Sequence, residues 1–161
     1  MKDIFNAVLT ALKNVPDLYV AENWGQLNIE QPPVNFPCAL IDLGEATYSQ
    51  LSRQAQQADL EIQITLADLI YNGIDQGSPE EEKERELRIF DLINTLHRCL
   101  HGLSGATFSP MHRIHIAKTI REDAIREFVI RYRCGYTDRT AVKTTSQQQV
   151  LPAMSIKKAS V

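Results

Sequence analysis

Ala58-Asp59-Leu60-Glu61-Ile62-Gln63-Ile64-Thr65-Leu66-Ala67-Asp68-Leu69 puts Leu60, Ile62, Ile64 and Leu66 on one side of an extended chain and Asp59, Glu61, Gln63 and Thr65 on the other. A period of two sustained over this length predicts a long antiparallel strand with one dry and one wet face. Immediately upstream, Cys38 to Leu43 is an apolar run suited to a buried strand, and Gly44 to Leu51 continues it. Residues 39–51 and 58–70 therefore read as a hairpin. Its connection carries Arg53, Gln54, Gln56 and Gln57 and contains no Gly, Pro, Asn or Asp. Tight hairpin turns normally use those residues, so the sequence predicts a long polar connection that projects from the body and reaches a neighbour.

Two helices flank this hairpin. From residue 3 to 14, Ile4, Phe5, Val8, Leu9 and Leu12 recur at helical spacing, with Asp3 at the start and Asn14 and Pro16 at the end. Downstream, Ser78-Pro79-Glu80-Glu81 has the form of a capping box, with proline at the first helical position. It predicts a helix running to about Leu100, with Ile89, Ile93, Leu96, Leu100 and Leu103 facing the core and Gly102 just past the end.

Leu18-Tyr19-Val20 reads as a short strand, and the segment from Glu30 to Pro37, with Pro32, Pro33 and Pro37, as an extended crossing loop. Met111 to Ile120, with Ile114, Ile116 and Ile120 in phase, and Glu127 to Tyr136, with Phe128, Ile130, Tyr132, Cys134 and Tyr136 in phase, form a second hairpin. The expected fold is α+β: a mostly antiparallel sheet of two hairpins with two helices packed on one face. It occupies residues 1–137 as one domain. Residues 138–161, rich in Ser, Thr, Gln and Lys, read as an arm or a disordered tail.

Composition narrows the function. Of the 161 residues, 43% are apolar and 23% charged, which is ordinary for a globular chain. The net charge of −3 gives no whole-protein field for nucleic acid. The N-terminus, Met1-Lys2-Asp3, is unlike a secretory signal, and no run approaches the roughly 20 apolar residues of a membrane span, so a cytoplasmic site of synthesis is expected. Cys38, Cys99 and Cys134 are odd in number and widely spaced, which predicts reduced, mostly buried thiols.

No reactive constellation emerges. His97 and His101 sit four apart on the long helix, but no third ligand is in register, so they read as boundary histidines near a helix end. The acidic run Glu80, Glu81, Glu82, Glu84 and Glu86 lies at a helix start and is interleaved with Lys83, Arg85 and Arg88, as a solvated helix face would be. There is no G-x-S-x-G, P-loop or G-x-G-x-x-G. The expectation is a protein that is not an enzyme and uses neither cofactor nor metal. The second hairpin is locally basic, with seven cations against four carboxylates over residues 113–139. Arg113, Lys118, Arg131 and Arg133 are its candidate basic face. Trp24, beside Gly25, fits a core plug and an interface anchor equally.

The helix at 3–14, the run Pro32-Pro33-Val34-Asn35-Phe36-Pro37-Cys38-Ala39-Leu40 leading into the first long strand, the strand Asp59–Leu69, the helix Ser78–Leu100 and the closing Tyr132-Arg133-Cys134-Gly135-Tyr136 together resemble the tail terminator (tail-completion) proteins of long-tailed bacteriophages and related minor tail proteins. The match is architectural and covers roughly residues 1–140. It implies a mixed α/β subunit that forms a ring, usually hexameric, terminating the tail tube and joining it to the head. Its implied partners are further copies of itself, tail-tube and head-connector proteins, and DNA passing through the lumen, with no membrane. Its implied location is the host cytoplasm during assembly and then the virion tail. The family offers no catalytic residues. On that reading the candidate subunit interface is Trp24, the 53–57 connection (Arg53, Gln54, Gln56, Gln57) and the unpatterned apolar residues of the arm, Val150, Leu151, Met154 and Ile156. The alternative is a small cytoplasmic ligand-binding or regulatory α+β module, which would instead show an enclosed pocket.

Overall fold

A computed structural model of the chain describes residues 1–142. Helix α1 spans Lys2–Lys13, strand β1 Tyr19–Glu22, β2 Cys38–Ser52, β3 Ala55–Leu69, helix α2 Glu80–Leu100, β4 His112–Thr119 and β5 Ile125–Asp138. The five strands form one sheet in the order β1-β2-β3-β5-β4. β2 with β3 and β4 with β5 are the two hairpins, and β3 also pairs antiparallel with β5 from Gln56 opposite Asp138 to Leu69 opposite Ile125. The one parallel pairing joins β1 to β2, from Tyr19 opposite Cys38 to Glu22 opposite Ile41. The fold is α+β with a mostly antiparallel sheet.

Both helices lie on one face. Ile4, Val8 and Leu12 of α1 and Ile89, Ile93, Leu96 and Leu100 of α2 meet Ile41, Leu60, Ile62, Ile64, Leu66, Phe128, Ile130 and Tyr132 in a single core. Each such aliphatic side chain contributes about 1.5–3 kcal/mol through burial. The other face is dry at one end alone. There the segment after β1 folds back, and Leu27, with Val34 and Phe36 beside it, covers Cys38, Leu40, Ala67 and Ile125. Thr65 of β3 is consequently buried on that face, whereas Asp68 is buried on the helix face, 2.9 Å from Arg88 of α2.

Three local expectations are corrected. Ser78 does not cap α2: the N-cap is Pro79, whose carbonyl accepts from the Glu82 and Lys83 amides at 3.1 Å each. The Ser78 hydroxyl instead accepts from the Asp75 amide at 2.9 Å, because the preceding turn claims it first. The connection between β2 and β3 is not long. It is the two-residue turn Arg53-Gln54, with Ser52 opposite Ala55 and a register shift between Gln50 and Ser52. Ser52 stabilises the turn as Asn, Asp or Ser side chains do: its hydroxyl accepts from the Gln54 amide and its carbonyl from the Gln50 side chain. Finally, Ile114, Ile116 and Ile120 do not enter the core. β4 is an edge strand that α2 does not cover, and Ile120 is 93% exposed.

The α2 C-terminus follows the sequence: Gly102 has φ 82° and its amide bonds the Met111 carbonyl at 2.8 Å, starting the path into β4.

Candidate subunit interface

The candidate interface residues are placed far apart. Arg53, Gln54 and Gln56 are exposed at the tip of the β2–β3 hairpin. Gln57 is partly covered, with its Oε1 accepting from the Thr137 hydroxyl at 3.3 Å. The tip does not project freely, because β5 flanks β3 as far as Gln56. Trp24 follows β1 at the level of Ile41 and is 63% exposed, which rules out the core plug. Residues 42–52 of β2 separate it from the tip, about 35 Å at strand rise. Val150, Leu151, Met154 and Ile156 lie outside the described residues.

The four candidate basic residues do not share one face. Arg113 pairs with Tyr132 and Lys118 with Phe128, both core-facing, so these two cations lie on the helix side of the sheet. Arg131 and Arg133 alternate with Ile130, Tyr132 and Cys134 and point to the other side. Arg133 is also engaged, 2.6 Å from Glu61 across the β3–β5 ladder. Arg121 and Arg126 serve the fold. Arg121 joins Asp123 at 2.7 Å and Glu127 at 2.9 Å and donates to the Leu27 carbonyl at 2.7 Å, tying the crossing segment to the start of β5. These bonds, against the opposing effect of burial, hold the Arg121 pKa above its ordinary value, and the Arg121 hydrogen bond holds Asp123 below its own.

On α2, the His97 and His101 rings are 4.7 Å apart, and His97 Nδ1 is 3.5 Å from the Tyr132 hydroxyl. Burial, then Arg113 and His101, lower the His97 pKa, so its neutral form is favoured. Among the described residues no group of three or more His, Cys, Asp or Glu side chains is placed to hold a metal. A cleft of about 710 Å³ runs past Met1, Asp3, Tyr48, Thr107 and Tyr136. In it the Tyr48 and Tyr136 hydroxyls are 2.5 Å apart. Most of its lining is exposed, chain-end and loop residues included. No helix among the described residues is long and apolar enough to cross a membrane.

The two sheet margins went unrecognised in the sequence. Among the described residues β1 has one neighbour, and beyond Ile41 the outer side of β2 has none, so β1 and distal β2 make one margin and β4 the other. Residues 14–52, which include the first, carry Asp17, Glu22, Glu30, Asp42 and Glu45 and no Lys, Arg or His. β4 carries Arg113, Lys118, His112 and His115 and no carboxylate. Both runs are visible in the sequence, but their meaning depends on the strand order.

No protein-family model matches the chain, and a search of curated proteins finds no match either. Among solved structures, the chain is similar to one from the virion of a native gene transfer agent particle, at 14% identity and a TM-score of 0.45, over 83% of this chain and 93% of that one.

Proposed function

We propose that the chain is a structural subunit of a phage or phage-like particle, which assembles with its own copies into a ring that terminates the tail tube and joins it to the head. One observation carries the self-assembly. Among the described residues the sheet has open margins at both ends, and each holds large exposed side chains: Tyr19 and Trp24 at one, Ile116 and Ile120 at the other. An open edge with apolar side chains pairs readily with another chain. Two different open surfaces on one subunit give head-to-tail contacts, which close into a ring where the rotation allows. The observed element order, a helix and short strand, a hairpin, a long helix and a second hairpin, is also the order on which the resemblance to tail terminators rests.

Light scattering of the full chain over a wide concentration range, followed by electron microscopy of the associated fraction, tests this reading. Rings of uniform subunit number are expected. A chain that stays monomeric at every concentration, with and without tail-tube protein, would sink it.

A further inference from the structure

We infer that the β4 edge of one copy docks on the acidic β1–β2 margin of the next, so that the sheet continues from subunit to subunit. The inference rests on the self-assembly proposed above and names the surfaces that perform it.

The charges are complementary. β4 offers Arg113 and Lys118 with His112 and His115, and none of its eight residues is acidic. The opposite margin offers Glu22, Asp42 and Glu45, all exposed, within a stretch that holds no cation from residue 14 to 52. None of Arg113, Lys118, Glu22, Asp42 and Glu45 joins an ion pair among the described residues. A copy therefore cannot pair its own two margins, which lie at opposite ends of the sheet, but it can satisfy both on neighbours. Like margins brought together would repel, so the contact selects head-to-tail joining over a twofold one.

The backbone fits as well. β4 is broken by a register shift between Arg113 and His115, but His115 to Thr119 is in unbroken register with β5. Those five regular residues face a margin whose short strand, β1, has four. On β1 the Glu22 carbonyl already accepts from the Gln26 side chain at 2.8 Å, which leaves the Tyr19–Ala21 stretch for a partner strand. Strand directions agree too. β1 runs with β2, β2 against β3, β3 against β5, and β5 against β4, so β4 runs opposite to β1. A rotation about an axis along the strands preserves direction, and the joint it makes is antiparallel, the pairing of the rest of the sheet. Beside the joint, Phe90 of α2, stacked edge-on against Phe128 at 5.8 Å and 47% exposed, and Ile116 give the incoming margin an apolar floor. Val20, half-buried on the helix face of β1, is the apolar group that the β1 side brings to it.

The test uses two charge-reversed forms of the full chain. One is Glu22→Lys with Glu45→Lys; the other is Arg113→Glu with Lys118→Glu. Asp17 is left alone because its φ of 55° suits Asp better than Lys. Thermal melts first establish that both forms fold. Each form alone should need about ten-fold or more higher concentration to associate than the natural chain, in keeping with the cost of juxtaposed like charges. An equimolar mixture should associate again, with native mass spectrometry showing the two forms in equal numbers, because each then presents the margin the other needs. If the natural chain associates and either form alone does so at the same concentration, this inference is overturned while the self-assembly stands. Folded forms whose mixture fails to associate overturn it equally. A natural chain that never associates overturns both.

Discussion

Arg126 grips Glu86 twice: its Nη2 lies 2.8 Å from the Glu86 carboxylate, and its Nη1 donates to the main-chain carbonyl of the same residue. The other carboxylate oxygen of Glu86 accepts from the amides of Tyr71 at 2.9 Å and Asn72 at 3.3 Å. One buried acid thus joins the second turn of α2, the start of β5 and the loop leaving β3. Removing one partner of a buried pair leaves the other uncompensated, so Arg126→Ala should lower stability by about 3–5 kcal/mol. Glu86→Leu with Arg126→Met should cost less than Arg126→Ala alone, read from urea unfolding midpoints.

The same acid sets an acid limit. Burial raises the Glu86 pKa, but the Tyr71 and Asn72 amides and Arg126 outweigh it, and the net shift is downward from 4.5. A carboxyl with a depressed folded pKa contributes stability above its unfolded pKa and loses it as pH falls through the folded value. The melting temperature should therefore fall as pH drops below about 4.5, the ordinary carboxyl value. Glu86→Gln should flatten that fall while lowering the plateau above it. A natural chain and a Glu86→Gln form with parallel profiles below pH 4.5 would argue against the assignment.

Ser78→Ala removes an acceptor from an exposed turn rather than a helix cap. Surface changes of this kind stay within roughly 0.5 kcal/mol, against the ~1 kcal/mol of a lost N-cap. Calorimetry at neutral pH separates the two values.

Ile62 and Ile120 have the same chemistry and opposite fates: the first is fully buried in β3 and the second stands in solvent after β4. Ile62→Ala should cost about 2–5 kcal/mol, and Ile120→Ser close to nothing, in the unfolding free energy of the monomer.

What the sequence makes legible is periodicity. The alternation of β3 and β5 and the stripe of α2 are legible because each of those elements has a neighbour covering its apolar face. Ile114, Ile116 and Ile120 show the limit. They keep time as a core strand would, yet period identifies a face and not what lies over it, and no described helix covers β4. The parallel pairing of β1 is invisible in the sequence, since four residues carry too little pattern and each partner is nineteen positions away. Ser78 fails in a different way. It sits where a helix cap and the preceding turn compete for one hydroxyl, and spacing does not say which wins. For the interface, the sequence offered Trp24 and the hairpin tip as isolated residues. The margins that unite Glu22 with Glu45 and Arg113 with Lys118 exist only once the strand order is known.

The two dry regions on opposite faces of the sheet each contain one sealed thiol. Cys38 lies in the smaller and Cys134 in the larger, and both are essentially inaccessible. Burial raises Cys38 to about 12 and Cys134 to about 11, so neither presents a thiolate at neutral pH in the closed protein. Alkylation of either therefore waits for its own side of the sheet to open. Timed labelling read by peptide mass gives the chain two internal clocks. If the crossing segment lifts before the helices do, Cys38 will be marked first.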